Sequence, residues 1–265
     1  MVGWTRIALP LALAVLTLAP NLHATALSLA VQPVLSQRAT HKAFAPLAHY
    51  LGRLLGDPCH IATSPNFIVY WQDMSRRPGP TFVLDAAHFT DYRLQHLGYH
   101  VLVKEPGTVS YSLVVRGSEM VLGPSALVGL PVASLGIPSM GAALLNRMFP
   151  HPSRRPIVVA ARDAAVEFHL LATRKVDAAM IPTPLVARAM AQGADVSVVT
   201  TTPPIPNVAL SVGPGWSANQ RARMRQALVH APASLFKAIG LQRFVVAQPS
   251  EYRGQDHTLK SYWGY

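Results

Sequence analysis

The chain has 265 residues, with 23 Lys and Arg against 12 Asp and Glu, a formal charge of +11 and a single Cys. Half of it is hydrophobic and only 13% is charged, which excludes a disordered basic tail or an acidic solvating segment. One Cys excludes an internal disulfide and a Cys-rich zinc or iron–sulfur centre, while the basic balance leaves nucleic acid, an acidic surface and an anionic ligand open.

Met1 to Arg6 carries one positive charge, and Ile7 to Ala19 is apolar apart from Pro10 and Thr17. Pro20 breaks the run, and Ala24-Thr25-Ala26 offers the small residues that a signal peptidase reads. This order predicts a secretory signal peptide over 1–26, cleaved after Ala26, and a mature protein exported to the periplasm. A membrane anchor is the alternative, but the run is too short for a hydrocarbon core of about 30 Å.

Leu27 to Val34 alternates like a strand and ends at Pro33. Gln37 to Gly56 reads as a helix, with Phe44, Leu47, Ala48, Leu51, Leu54 and Leu55 on one face. Cys59–Thr63 is a short strand. Ser64 then reads as the N-cap of a helix with Pro65 at its first position. Thr81–Leu84 is a buried-type strand, 86–97 a helix, and Tyr99–Lys104 a strand. Ser110–Arg116 is strongly strand-like. Pro131–Leu135, Ile157–Ala161, Asp177–Ile181 and Val196–Val199 are strands that alternate with helices over 139–149, 162–175 and 185–192. Val208–Val212 is a last strand, and Ser217–His230 a helix with Arg221, Arg223 and Arg225 outward. Strands alternating with helices predict an α/β fold with mostly parallel sheets. Two extended segments, 110–116 and 208–212, are natural crossings between two lobes. One lobe takes 27–110 with 208–265; the other takes 111–207, hinge strands included.

Four segments carry a resemblance. Phe44-Ala-Pro-Leu-Ala-His-Tyr-Leu51 is similar to the F-x-P-L-x-x-Y-L first helix of the phosphate/phosphite/phosphonate-type ABC-transporter periplasmic binding proteins. Arg174-Lys-Val-Asp-Ala-Ala179 resembles their G-x-V-D-A segment, and Thr202-Pro-Pro-Ile-Pro-Asn207 their S-P-P-I-P-N hinge return. Phe244 to Tyr252 resembles their F-x-P-x-x-x-x-Y end. The match runs over nearly the whole mature chain. It implies a two-lobe, type II-like periplasmic binding protein fold with two hinge crossings, closing on a small anionic ligand such as a phosphonate, a phosphite or another oxyanion. Two departures stand out. The family's S-T-S-G anion site reads Pro138-Ser139-Met140-Gly141 here. Asp85-Ala-Ala-His88-Phe89 resembles a divergent branch with P-H-F at that point.

Ligands of open α/β sheets gather at strand carboxyl ends and helix N-termini. That rule selects Ser64, Asn66 and Phe67 after the second strand, and His88 and Phe89 after the third. It also selects Ser139, Met140 and Gly141 at one second-lobe helix start and Arg162 at the next. Tyr111 on the first crossing and Pro182 at a strand end complete the candidate set. A histidine near its ordinary pKa donates to an oxyanion when protonated, and the Arg162 fork suits oxyanions. For Ser64 a plain capping role remains open, and for His88 a core role. Cys59 and His60 point to opposite strand faces and make no metal pair. No cofactor motif and no nucleic-acid motif is present, and no nucleophile–base–orienter set is visible. The expected protein is a monomeric, non-enzymatic receptor that works with an ABC permease; a sensing module docking on a membrane kinase or a respiratory complex is the alternative.

Overall fold

The computed structural model describes residues 26–259, apart from 75, 77 and 238. The expected signal peptide falls outside the described residues, save for Ala26. The first lobe begins with β1 (Leu27–Val31), α1 (Gln37–Leu55), β2 (Cys59–Thr63), α2 (Phe67–Met74), β3 (Phe82–Asp85), α3 (Ala87–His96) and β4 (His100–Lys104). The chain crosses through β5 (Thr108–Val109) into β6 (Tyr111–Arg116), β7 (Pro131–Ser134), α4 (Met140–Met148) and β8 (Ile157–Ala160). α5 (Ala164–Ala172), β9 (Ala178–Pro182), α6 (Thr183–Ala191) and β10 (Val196–Thr201) follow. It returns through β11 (Ile205–Pro206) and β12 (Ala209–Val212) to α7 (Ala218–Val229), α8 (Ala233–Lys237) and β13 (Val245–Val246).

Two sheets result. The first has the order β13-β4-β12-β3-β1-β2 and the second β10-β6-β9-β7-β8, while β5 and β11 pair as a small ribbon at the two crossings. The expectation of mostly parallel sheets is corrected. β1 is parallel to β2 and β3, and β7 to β8 and β9, but β12 is antiparallel to β3 and β4, and β6 to β9 and β10. The reason is where these strands enter. Tyr111, the first residue of β6, faces Pro182, the last of β9, and Ala209 of β12 faces Asp85, the last of β3. A strand arriving from the other lobe enters at the carboxyl end and must run backwards; only a helical crossover would return it parallel.

The helices form where the pattern places them. Ser36 caps α1 by accepting from Ala39 N at 3.3 Å, and Gly56 closes it at φ +81°, where a Cβ would be strained. Phe44, Leu47, Ala48 and Leu51 are the buried stripe, packed on Leu29, Val31, Leu84 and Leu210. Met224 and Leu228 of α7 close the same core. Leu171, Val176, Ala179, Ile181 and Val186 pack with Val114 in the second lobe. A third cluster joins the lobes, combining Ala86 and Ala87 with Tyr111, Met140, Ile205 and Ala209.

Candidate functional site

The carboxyl ends of β7 and β9 and the N-terminal turns of α4 and α5 share one end of the second sheet, and that end meets the start of α3. Three contacts define the seam. His88 Nε2 lies 2.9 Å from Pro138 O, Ala164 N donates to Val34 O at 3.0 Å, and Leu135 packs among Phe67, Tyr70 and Phe89.

His88 is fully buried. Desolvation lowers its pKa from 6.5 to about 4, against a smaller opposing effect of the Pro138 carbonyl. The imidazole is therefore neutral near pH 7, and it donates from Nε2 to Pro138 O. Nδ1 is then an acceptor, and it has no hydrogen-bond partner among the described residues. This corrects the expectation of a near-neutral, protonatable donor: burial removes the charge that a donating imidazolium would need.

Ser139 is the α4 N-cap and accepts from Ala142 N at 3.2 Å. Helix geometry leaves the N–H groups of Met140 and Gly141 without intrahelical partners. A Cβ on Gly141 would lie 3.3 Å from Met180 O and 3.6 Å from the Tyr111 ring, so the glycine lets α4 seat against β9 and the hinge strand. Tyr111 is buried, and its phenol is pushed well up, first by desolvation and then by Glu167. Its backbone is held by paired bonds to Thr202. Pro182 is half-buried opposite Tyr111 and leads into α6.

Glu167 is the residue that the sequence reading missed. It sits in the first turn of α5, fully buried, and neither carboxyl oxygen has a hydrogen-bond partner among the described residues. Desolvation first, then the neighbouring Asp163, raises its pKa well above the ordinary carboxylate value. One acid inside Ala-Ala-Val-Glu-Phe-His-Leu-Leu-Ala was the available signal. Asp163 itself caps α5 by accepting from Val166 N at 3.0 Å.

Of the other candidates, Phe67 and Phe89 reach the seam only as apolar packing around Leu135, while Ser64, Asn66 and Arg162 have local partners. Phe67 and Phe89 stack at 6.0 Å and are core. Ser64 is not the α2 cap: Asn66 Oδ1 accepts from Val69 N at 2.9 Å, while the Ser64 hydroxyl reaches Asp73 Oδ2 at 2.9 Å. Ser64 lines a concavity of ≈ 330 Å³ walled wholly by first-lobe residues. The Arg162 side chain is 76% exposed, with Asp163 at 3.5 Å. The buried first-lobe cation is Arg93, whose Nε donates to Asp85 Oδ2 at 2.9 Å; Tyr70 OH and Thr90 Oγ1 also donate to that carboxylate. Cys59 is half-buried, and desolvation pushes its thiol up to about 11. Among the described residues no cluster of His, Cys, Asp and Glu could hold a metal ion.

The sequence matches the family model for the ABC-transporter phosphonate periplasmic substrate-binding protein over residues 29–252. The chain belongs to this periplasmic phosphonate-binding family. Its members bind small ligands and work with an ABC permease. Among solved structures, PhnD1 from Prochlorococcus marinus, in complex with methylphosphonate, superposes with a TM-score of 0.75 at 12% identity, covering 89% of this chain and 97% of that one. A binding component of an ABC phosphonate transporter from Pseudomonas aeruginosa gives 0.69 at 12% identity, with 86% and 83% covered. The aliphatic sulphonate binding protein SsuA from Escherichia coli gives 0.60 at 14%, with 90% and 92% covered. At such identities the likeness concerns the fold, a two-lobe periplasmic binding protein. No curated protein matches the sequence. Among the described residues no helix is long and apolar enough to cross a membrane.

Proposed function

We propose that this member of the phosphonate-binding family is a monomeric, non-enzymatic receptor that captures a small oxyanion between its lobes and delivers it to its permease. One observation carries the reading. Two second-lobe helix starts, the hinge residue Tyr111 and the α3 start with His88 converge on one seam. Helix N-termini present N–H groups and the positive end of the dipole to an anion. The lobes in this reading are 27–110 with 208–265 and 111–207, closing about the β5–β11 ribbon, and the chain is exported by cleavage after Ala26. Ligand contacts come from His88, Tyr111, Ser139, Met140 and Gly141. Closure about a ligand buries it away from water, which strengthens each of these contacts.

Calorimetry with methylphosphonate, phosphite, phosphate and methanesulfonate tests this. At about 100 times Kd, a bound ligand stabilises the native state by about 2.7 kcal/mol, which a melting curve also reads. Heat and a melting shift for at least one of the four are expected. Absence of both for all four refutes the oxyanion reading.

A further inference from the structure

Glu167 is a fully buried carboxyl at the seam with neither oxygen partnered among the described residues, and buried polar groups are seldom left so. The start of α5 is tied to the first lobe through Ala164 N and Val34 O. Glu167 lies near enough to Tyr111 for its charge to add to desolvation in pushing the phenol up, and the Tyr111 ring packs beside the Gly141 backbone of α4. Across the seam, His88 presents a second buried, unpartnered acceptor, Nδ1. The two buried guanidinium groups are engaged elsewhere. Arg93 binds Asp85 and Tyr70 within the first lobe, where its Nη1 is left without a partner among the described residues, and Arg116 binds Glu119 and the carbonyls of Leu171 and Val176 at the far end of α5. Among the described residues the seam therefore has helix dipoles but no buried cation.

Such a site is poorly matched to a dianion. Two negative charges would be buried without a counter-charge, and a fully ionised oxyanion has no proton to offer His88 Nδ1. We infer that Glu167 is the specificity-determining residue of the seam and that the site takes the singly charged, hydrogen-bearing form of an oxyanion, whose O–H serves the acceptors while its ionised oxygens take the helix N–H groups. This rests on the oxyanion reading above.

The ionisable surroundings of Glu167 are few. Its own helix supplies the cap Asp163 and, two residues on, His169; the packed strand β6 supplies Tyr111 and, at its other end, Arg116. β7 and β9 carry no ionisable side chain. Desolvation first, and then the neighbouring Asp163, act against ionising Glu167 and favour its protonated form. In that form it both donates to and accepts from a singly charged ligand.

The test is calorimetry on the full mature chain with methylphosphonate and methanesulfonate at about pH 5 and about pH 9, on either side of the second ionisation of the phosphonate. Wild type is expected to bind methylphosphonate at least about tenfold tighter at the lower pH, and to bind methanesulfonate, singly charged but without an O–H, more weakly than methylphosphonate there. Glu167→Gln, which donates and accepts but cannot ionise, is expected to keep the low-pH affinity and to lose part of the pH dependence. The wild-type series stands without the variant. Equal or tighter binding of methylphosphonate at the higher pH overturns this inference while leaving the oxyanion receptor intact. Silence of both probes at both values overturns this inference, and silence of phosphite and phosphate as well overturns the oxyanion reading with it.

Discussion

His88 provides the most quantitative consequence of the seam. Its imidazole is fully buried, and burial lowers the pKa from 6.5 to about 4. Between those values the unfolded chain binds the proton and the native state does not, so stability falls as pH falls. The neutral-histidine contribution is complete above pH 6.5 and spent below about 4. At about 1.4 kcal/mol per tenfold change in proton affinity, the loss is about 3 kcal/mol. No solvent screening reduces it, because the ring has no exposed surface. His88→Gln removes the ionisation but keeps an N–H that can reach Pro138 O. That variant is expected to be about 1 kcal/mol less stable than wild type near pH 7, for imperfect replacement of the bond and ring packing. Near pH 4 it should be about 2 kcal/mol more stable, because only wild type has lost the 3 kcal/mol. The two stability curves should cross between about pH 5 and 6. Urea unfolding followed by tryptophan fluorescence at several pH values measures the difference, and the other titrating groups cancel in it. Parallel curves, with a gap that does not change with pH, refute the neutral buried histidine and with it the assignment of Nδ1 as an acceptor.

Two further outcomes follow from the same geometry. Arg93→Met leaves Asp85 buried without its guanidinium and should cost about 3–5 kcal/mol in urea unfolding, whereas Asp85→Leu with Arg93→Met together should recover most of it; additive losses would mean the pair is not coupled. Arg162→Ala, at a side chain 76% exposed, should change stability by less than about 0.5 kcal/mol and leave methylphosphonate affinity within about twofold; a calorimetric loss of about tenfold would put this guanidinium in the site after all.

What the sequence made legible was set by short-range chemistry. The α1 stripe and the α4 start at Ser139 each depend on residues within a turn or two of one another and stand where the pattern placed them, while α5 starts after the cap Asp163 rather than at Arg162. The crossings fall on β5 and β11, just before the expected 110–116 and 208–212, which lie inside the two sheets as β6 and β12. Strand direction was not readable, because whether β6 and β12 run with or against their neighbours depends on the lobe from which they enter. The α2 start shows a finer limit. Ser64 and Asn66 are both good caps around Pro65, and the choice falls to Asn66 because Asp73, nine residues on, takes the Ser64 hydroxyl.

The charge count was the least informative feature about the site, and the reason is physical. Long-range charge describes the surface, but the seam works with groups whose burial holds them neutral. Burial lowers the pKa of His88 and raises that of Glu167, both mainly because ionisation in a dry environment is costly. One-letter chemistry assigns the carboxyl a charge of −1 and the imidazole a cationic donor role; burial disfavours both charges and leaves His88 Nδ1 an acceptor. Glu167 was therefore invisible as a selector, and His88 visible for the wrong reason. A net charge of +11 favours the approach of anions in general. The protonation states fixed by burial decide which form of an anion fits between the lobes.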